Sequence, residues 1–170
     1  MQLIINKSIN FILPNSILLC FIYSMGEVVK IGITNIKGSL IQNVNNAEAI
    51  KDKGLLNDRK FKENNDKNRQ ITLIEIENIN YFNNVSKANI AILDFRRNIV
   101  TKNIRLNDLV GKEFFIGSVK IKAHDLCRPC KYLQNKLNQK NFVKELLRRG
   151  GLRCEILTSG QIKVGDIIKK

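Results

Sequence analysis

Short runs of apolar residues, many alternating with polar ones, recur along the chain and predict strands more often than helices. The β-branched residues from 27 to 34 fit a strand, and Ile71 and Leu73 alternate in the same way. Residues 75–82 fit a short helix after that strand. Glycine and asparagine residues separate these runs and predict the turns between them.

Helical spacing is clearest after Cys130. Leu133 and Leu137 are four residues apart, as are Val143 and Leu147, so two short helices are predicted on either side of the polar NQKN segment. The C-terminal sequence LRCEILTSGQIKVGDIIKK predicts three more strands. The fold class predicted from this pattern is mainly β, a closed or nearly closed barrel with a short helical insertion after the cysteine motif.

The first 24 residues differ from the rest. They contain the apolar run FILPNSILLCFIY, which is too short to span a bilayer and is interrupted by Pro14. A strong basic start and a clear cleavage site, both typical of a signal peptide, are missing. Because MGEVVKIGIT begins a strand pattern at once, we interpret residues 1–24 as an N-terminal extension, arising from a misassigned start or acting as a weak signal or anchor. Residues 25–170 are then one domain, without a stable membrane span.

The charge of the chain favours anionic partners. Its 170 residues include 29 Lys and Arg against 15 Asp and Glu, a formal charge of +14. Nucleic acid, membrane headgroups and a phosphorylated cofactor all qualify, and a solvated basic surface is the alternative. Aromatic residues are few and not interleaved with the basic ones, which makes nucleic acid an unlikely partner. A basic small-barrel nucleic-acid-binding module nevertheless remains the competing class.

Cysteine is sparse, as is typical of a chain that folds in a reducing cytoplasm. The four cysteines are Cys20, Cys127, Cys130 and Cys154. Within HDLCRPCKYL two of them have redox-motif spacing, but the surrounding βαβ pattern of a thioredoxin-like protein is missing. His124 and these two thiols supply at most three zinc ligands, and Cys154 looks like a core residue. A zinc-stabilised structural domain stays open as an alternative, as does a role of the thiols as small apolar fillers.

Cys130 is the candidate reactive thiol. It follows Pro129 and begins the predicted helix, where unpaired backbone N–H groups and the helix dipole favour a thiolate. Arg128 and Lys131 act in the same direction. Such a thiolate is suited to nucleophilic attack, to binding a soft metal or to carrying a terminal sulfur.

Two arginine-rich segments are candidate anion sites. In DFRRNIV, strand alternation would place Arg96 and Asn98 on one face and Arg97 on the other, where a guanidinium beside an amide suits a phosphate or a pterin. In RRGGLR, two glycines let backbone N–H groups approach an anion. The basic residues around these glycines are Arg148, Arg149 and Arg153. Either segment alone is equally consistent with a solvated turn.

Taken together, these motifs resemble the MOSC domain, named after the C-terminal domain of molybdenum cofactor sulfurase, in its small stand-alone bacterial form. DFRRNIVTKNIRLNDLVGKEFFIGSVKIKAHDLCRPCKYL and RRGGLRCEILTSGQIKVGD carry the resemblance. GLLNDRKF is similar to an earlier segment of the family, although Asn57 replaces a usual glycine. The resemblance runs from about residue 26 to residue 170.

The resemblance implies a barrel-like fold and a characteristic cysteine that aligns with Cys130. It further implies a molybdenum cofactor (molybdopterin), with Cys130 facing its metal and the pterin phosphate among Arg96, Asn98 and the turn from Arg148 to Arg153. The alternative role is sulfur transfer, with persulfide sulfur on Cys130 supplied by a pyridoxal phosphate-dependent cysteine desulfurase. Some family members reduce N-hydroxylated compounds. Whether this chain is an enzyme is left open by its sequence.

Deletion of residues 1–24 tests the domain boundary. We expect the truncated protein to remain soluble and to melt at the same temperature as the full chain, because the predicted core strands follow Met25. Thermal unfolding followed by circular dichroism measures this. Aggregation or a much lower melting temperature would contradict the boundary.

Overall fold

The computed structural model describes residues 25–170, so the predicted N-terminal extension lies outside the described residues. The strands are β1 (Gly26–Ile33), β2 (Gln42–Val44), β3 (Asn46–Ile50), β4 (Gly54–Leu55), β5 (Ile71–Glu75), β6 (Ile99–Lys102), β7 (Glu113–Ile116), β8 (Val119–Leu126), β9 (Leu152–Ile156), β10 (Gly160–Lys163) and β11 (Ile167–Lys169). The α-helices are α1 (Ile76–Ser86), α2 (Lys131–Lys136) and α3 (Phe142–Glu145). Short 3-10 turns lie at Lys67–Arg69, Ile92–Phe95 and Leu106–Leu109.

Seven strands form a closed barrel in the order β1, β6, β5, β9, β8, β7 and β11, and β11 pairs again with β1. Only β5 and β6 among these pairs run parallel; the others are antiparallel. β2 extends the sheet beside β1, and β10, β3 and β4 form a separate three-stranded sheet. The predicted mainly β, barrel-like fold is confirmed.

Alternation along the strands fills the barrel with apolar side chains, as expected for strands with one buried face. Val28, Leu73, Ile121 and Ile156 are all fully buried in this core. A second apolar cluster lies outside the barrel under α1, where Phe82 and Phe142 pack edge to face with ring centroids 5.2 Å apart. This cluster anchors the helical insertion that follows the cysteine motif.

The predicted helices are present. Residues 75–82 lie largely within α1, which continues to Ser86, and the two short helices predicted after Cys130 are α2 and α3. β3 and β4 were not predicted, because they lie in a polar stretch and bury small residues such as Ala47 and Ala49. Within residues 25–170, none of the helices is long and apolar enough to cross a membrane.

The strand predicted through residues 96–98 is wrong. The chain makes a 3-10 turn at Ile92–Phe95, Arg96 follows with a left-handed φ of 61°, and β6 begins at Ile99. Ile92 and Phe95 are three residues apart, so a 3-10 turn directs both into the cluster under α1. Burial of these two side chains therefore overrides the strand propensity of the segment, and the alternation expected for Arg96 and Arg97 does not apply.

Replacing Gly151 by alanine should destabilise the protein strongly, because the new Cβ would overlap the carbonyl oxygen of Leu73 and the residue has φ +88°. Gly165→Ala is the matched control, since φ is +91° there but no atom lies within 4 Å of the added Cβ. The left-handed conformation alone costs about 1–2 kcal/mol. We expect the control to lose about that much and Gly151→Ala to lose more than about 3 kcal/mol. Urea unfolding measures both; equal losses would show that the close approach to Leu73 is unimportant.

Candidate functional site

Cys130 lies at the N-cap of α2, in the position predicted for it. Its backbone is extended, with φ −125° and ψ 152°, and its side chain makes no capping hydrogen bond. The thiol is exposed and free. Cys130 therefore presents an unconstrained sulfur to the solvent.

The neighbouring thiols are in a different environment. Cys127 is 8% exposed, and its backbone N–H donates to the carbonyl oxygen of Gly151 at 2.7 Å. Cys154 is fully buried in the barrel, as predicted from its strand, and burial raises the pKa of its thiol. Both are free thiols. Among the cysteines of residues 25–170, only Cys130 is open to a large reagent or partner.

The geometry around the cysteine motif favours neither a zinc site nor a thioredoxin-like redox motif. His124 Nε2 lies 2.8 Å from Glu155 Oε2, so this imidazole is paired with a carboxylate. Across the described part of the chain, no three His, Cys, Asp or Glu side chains are grouped so that they could hold a metal ion. β8 and β9, which flank the cysteine motif, pair antiparallel, unlike the strands of a βαβ unit.

A small basic cleft lies at the end of β1, and we call it the Arg96 cleft. It is lined by Gly32, Thr34, Ile41, Asp58, Arg59, Lys60, Arg96, Arg97 and Asn98. Four cationic residues and one carboxylate thus line the cleft. The Asp58 oxygens accept the backbone N–H groups of Thr34 at 3.2 Å and Lys60 at 3.0 Å. Because the interior volume is only about 10 Å³, roughly one water molecule, any larger anion would have to bind at the mouth of the cleft.

Electrostatics link this cleft to the cysteine motif. Burial lowers the pKa of Lys60; Cys127 and Asp58 act to raise it, while Arg59 and Arg97 act to lower it. Lys60 of the Arg96 cleft is thus within electrostatic range of Cys127.

Hydrogen bonds connect the same two regions. Arg96 Nη1 donates to the Ser39 carbonyl oxygen at 2.8 Å, and Lys136 of α2 donates to the adjacent Gly38 carbonyl oxygen at 2.6 Å. Arg97 Nε donates to the Gly150 carbonyl oxygen at 2.8 Å. The turn at Gly150 thus links Arg97 to the cysteine motif, and the loop at Gly38 and Ser39 links Arg96 to α2, the helix that Cys130 begins.

At Gly150 the turn before β9 comes into direct contact with the cysteine motif. A Cβ at this position would overlap the carbonyl oxygen of Cys127 and would approach Pro129 Cδ to 3.5 Å. Only a residue without a side chain permits this approach. The glycine pair was predicted to admit an anion; in the structure Gly150 admits the backbone of the cysteine motif and Gly151 that of Leu73.

Asn98 is buried, and its amide atoms bond within the protein. Its Oδ1 accepts from the Thr72 backbone N–H at 3.1 Å and from Thr72 Oγ1 at 2.8 Å. Its Nδ2 donates to the Gly32 carbonyl oxygen and to Asp58 Oδ2, both at 3.3 Å. Asn98 therefore positions the floor of the Arg96 cleft, and the cations around it are the groups that face the solvent.

The arginines that were predicted to share one anion site lie in separate regions of the structure. Arg148 and Arg149 line a different cleft, and Arg153 lies on β9 opposite Thr72 and Asp125. Asp58, Arg59 and Lys60 line the Arg96 cleft without having been predicted as site residues, although the NDRKF segment that contains them resembles a family motif. Arg97, expected on the opposite face from Arg96, lines the same cleft.

The comparisons with known proteins agree with this architecture. The family model of the MOSC domain matches residues 55–169, and the chain belongs to this family. Its fold is similar to that of the YuaD protein from Bacillus subtilis (TM-score 0.71, 17% identity, covering 85% of this chain and 94% of that one). It is also similar to YiiM from Geobacillus stearothermophilus (0.68, 15%, 85% and 74%) and YiiM from Escherichia coli (0.63, 15%, 84% and 68%). The search of curated proteins gave no match.

Alkylation kinetics test the assignment of the reactive thiol. In the native protein we expect iodoacetamide to modify Cys130 about tenfold or more faster than Cys127 and Cys154, because Cys130 is exposed and the other two are buried. Peptide mass spectrometry over time measures each rate. Repeating the reaction in denaturant is the control, and there the three rates should become similar. Equal alkylation rates for these three cysteines in the native protein would contradict the assignment of Cys130 as the reactive thiol.

Proposed function

We propose that this MOSC domain binds a molybdopterin-type cofactor at the mouth of the Arg96 cleft, with Cys130 as the thiol that faces the metal. The observation that carries the proposal is the link between the cationic cleft and the segment that bears the exposed thiol: Arg97 of the cleft donates to the Gly150 carbonyl oxygen, and Gly150 packs on the backbone of the cysteine motif. A reactive thiol of this kind requires a reducing compartment, so we propose a cytoplasmic location.

The donor groups of the site fit such a cofactor. Guanidinium groups bind phosphate oxygens through paired charge-assisted hydrogen bonds, and Arg59 and Arg96 supply two of them. A thiolate is a soft ligand that suits molybdenum, and Cys130 supplies it without competition from a capping bond. When bound, the cofactor would supply a redox-active metal for reactions such as the reduction of N-hydroxylated compounds. Asn98 and Arg97 would act by holding the cleft and the cysteine segment in place.

Sulfur transfer is the second candidate, and it is favoured by the exposure of Cys130. A protein donor needs direct access to the acceptor sulfur, and Tyr132, two residues after Cys130, is also 59% exposed. The Cys130 thiolate would attack the terminal sulfur of a donor persulfide, forming a new S–S bond and releasing the donor thiolate. A cysteine desulfurase that uses pyridoxal phosphate is the class of donor we propose.

Purification of the full chain from a host supplied with molybdenum tests the cofactor proposal. We expect molybdenum and a fluorescent oxidised pterin to copurify with the wild-type protein. Arg96→Glu should lower pterin occupancy about 10- to 100-fold, because a charge-assisted hydrogen bond contributes about 1.5–3 kcal/mol and the reversal adds repulsion. Cys130→Ser should lower the ratio of molybdenum to pterin.

Lys163→Glu on β10 is the matched control, since it makes the same change in net charge on an exposed residue of the separate sheet. It should leave both occupancies unchanged. Mass spectrometry of the same samples reports any additional sulfur on Cys130. Wild-type protein without pterin, molybdenum or persulfide would contradict the proposal, as would equal losses in Arg96→Glu and Lys163→Glu.

A further inference from the structure

A second cleft, which we call the Arg105 cleft, has a volume of 610 Å³ and shares no lining residue with the Arg96 cleft. It lies between the start of α1, the loop after β6 and the turn before Gly150. Arg105, Arg148 and Arg149 line it, together with Glu75, Glu77 and three asparagines. Its volume is in the range typical of small-molecule sites.

The two carboxylates of the Arg105 cleft accept hydrogen bonds from N–H groups of the protein itself. Glu75, which is 7% exposed, accepts the Leu106 backbone N–H at 3.0 Å through Oε1 and the Asn78 amide at 2.8 Å through Oε2. Glu77 Oε1 accepts the Asn103 backbone N–H at 2.8 Å. These carboxylates fasten the loop after β6 to α1.

The three arginines of the Arg105 cleft differ from these carboxylates in their partners. Within residues 25–170, no carboxylate forms an ion pair with Arg105, Arg148 or Arg149. Three cationic side chains therefore line a cleft whose two carboxylates already bond to N–H groups. The result is a concave surface with an excess of hydrogen-bond donors and positive charge, which favours an anion.

The Arg149 side chain and the backbone of Arg148 are held in place by their neighbours. The Arg149 guanidinium lies 4.2 Å from the centroid of the Tyr81 ring and donates to Asn78 Oδ1 at 3.2 Å. The Arg148 carbonyl oxygen accepts the Asn107 amide at 2.9 Å, which ties this turn to the loop after β6. Such contacts reduce the conformational freedom that a ligand would otherwise have to remove on binding.

The remaining wall of the cleft is apolar. Ile104 and Leu147 line it, and Leu147 is 65% exposed. A ligand with an anionic end and a carbon ring or chain would thus meet guanidinium groups and an apolar surface at the same time.

We infer that the Arg105 cleft is a binding site for a small organic phosphate, separate from the cofactor site proposed above. Three guanidinium groups match the charge and the several oxygens of a phosphate better than those of a single carboxylate. The apolar wall accommodates the organic part. The site goes beyond the proposed function, since it needs neither Cys130 nor a metal.

Phenyl phosphate, titrated into the ¹⁵N-labelled full chain and followed by NMR, tests this inference. We expect saturable shifts centred on the side-chain amides of Asn78, Asn103 and Asn107, and weaker binding of inorganic phosphate, which cannot contact the apolar wall. Arg105→Gln should raise the Kd for phenyl phosphate about tenfold. Arg148→Gln is a second variant at the same cleft, and both residues are exposed, so the fold should be retained.

Two controls locate the site. Lys163→Gln changes the net charge equally elsewhere, and Arg96→Gln changes the Arg96 cleft; neither should alter the Kd. Shifts centred on the Arg96 cleft, equal weakening by Lys163→Gln, or no saturation below about 10 mM would overturn the inference. Because Arg96→Gln and Cys130→Ser affect the cofactor but not this cleft, failure of either proposal is distinguishable from failure of the other.

Discussion

The side-chain amide of Asn98 holds the candidate site together. It connects Thr72 of β5, Gly32 of β1 and Asp58 of the loop after β4, and its own backbone N–H and carbonyl bond to Thr72 and Gly32. These contacts lie at the start of the one parallel strand pair of the barrel, between β5 and β6. A buried amide without hydrogen-bond partners would lower the stability of the fold, so these contacts stabilise the arrangement of β1, β5 and the Asp58 loop around Asn98. The cations of the Arg96 cleft depend on this frame for their positions.

A second constraint is the close approach at Gly150 and Gly151. Gly150 packs against the Cys127 carbonyl oxygen, and Gly151 against that of Leu73. The Gly150 carbonyl oxygen also accepts the Arg97 guanidinium. One turn therefore fixes the cysteine motif, the barrel wall and one arginine relative to each other. Such a turn brings the cysteine motif next to Arg97 of the Arg96 cleft with little use of side-chain volume.

The chain has a formal charge of +14, and the bonding partners of its carboxylates explain where the excess positive charge lies. Several of its carboxylates serve internal structure: Asp58, Glu75 and Glu77 accept backbone N–H groups in the loops around the two clefts. Glu155 pairs with His124 and Lys67. Many basic side chains are consequently left facing the solvent. Two separate cationic clefts result, one beside the cysteine motif and one beside α1.

The sequence by itself determined many of the strands, because alternation of apolar residues depends only on nearest neighbours along the chain. It missed β3 and β4 and predicted a strand through residues 96–98 where the chain makes a 3-10 turn. It also determined the helix that Cys130 begins and the burial of Cys154, and its motifs indicated the MOSC family. It did not reveal that Arg96 has a left-handed backbone, that Asn98 points inward, or that Arg148 and Arg149 line a different cleft. Each of these features follows from contacts between residues far apart in the chain, such as Arg97 with Gly150 or Asn98 with Gly32. Only tertiary packing decides such contacts, since local sequence patterns contain no information about which distant backbone carbonyl will be near.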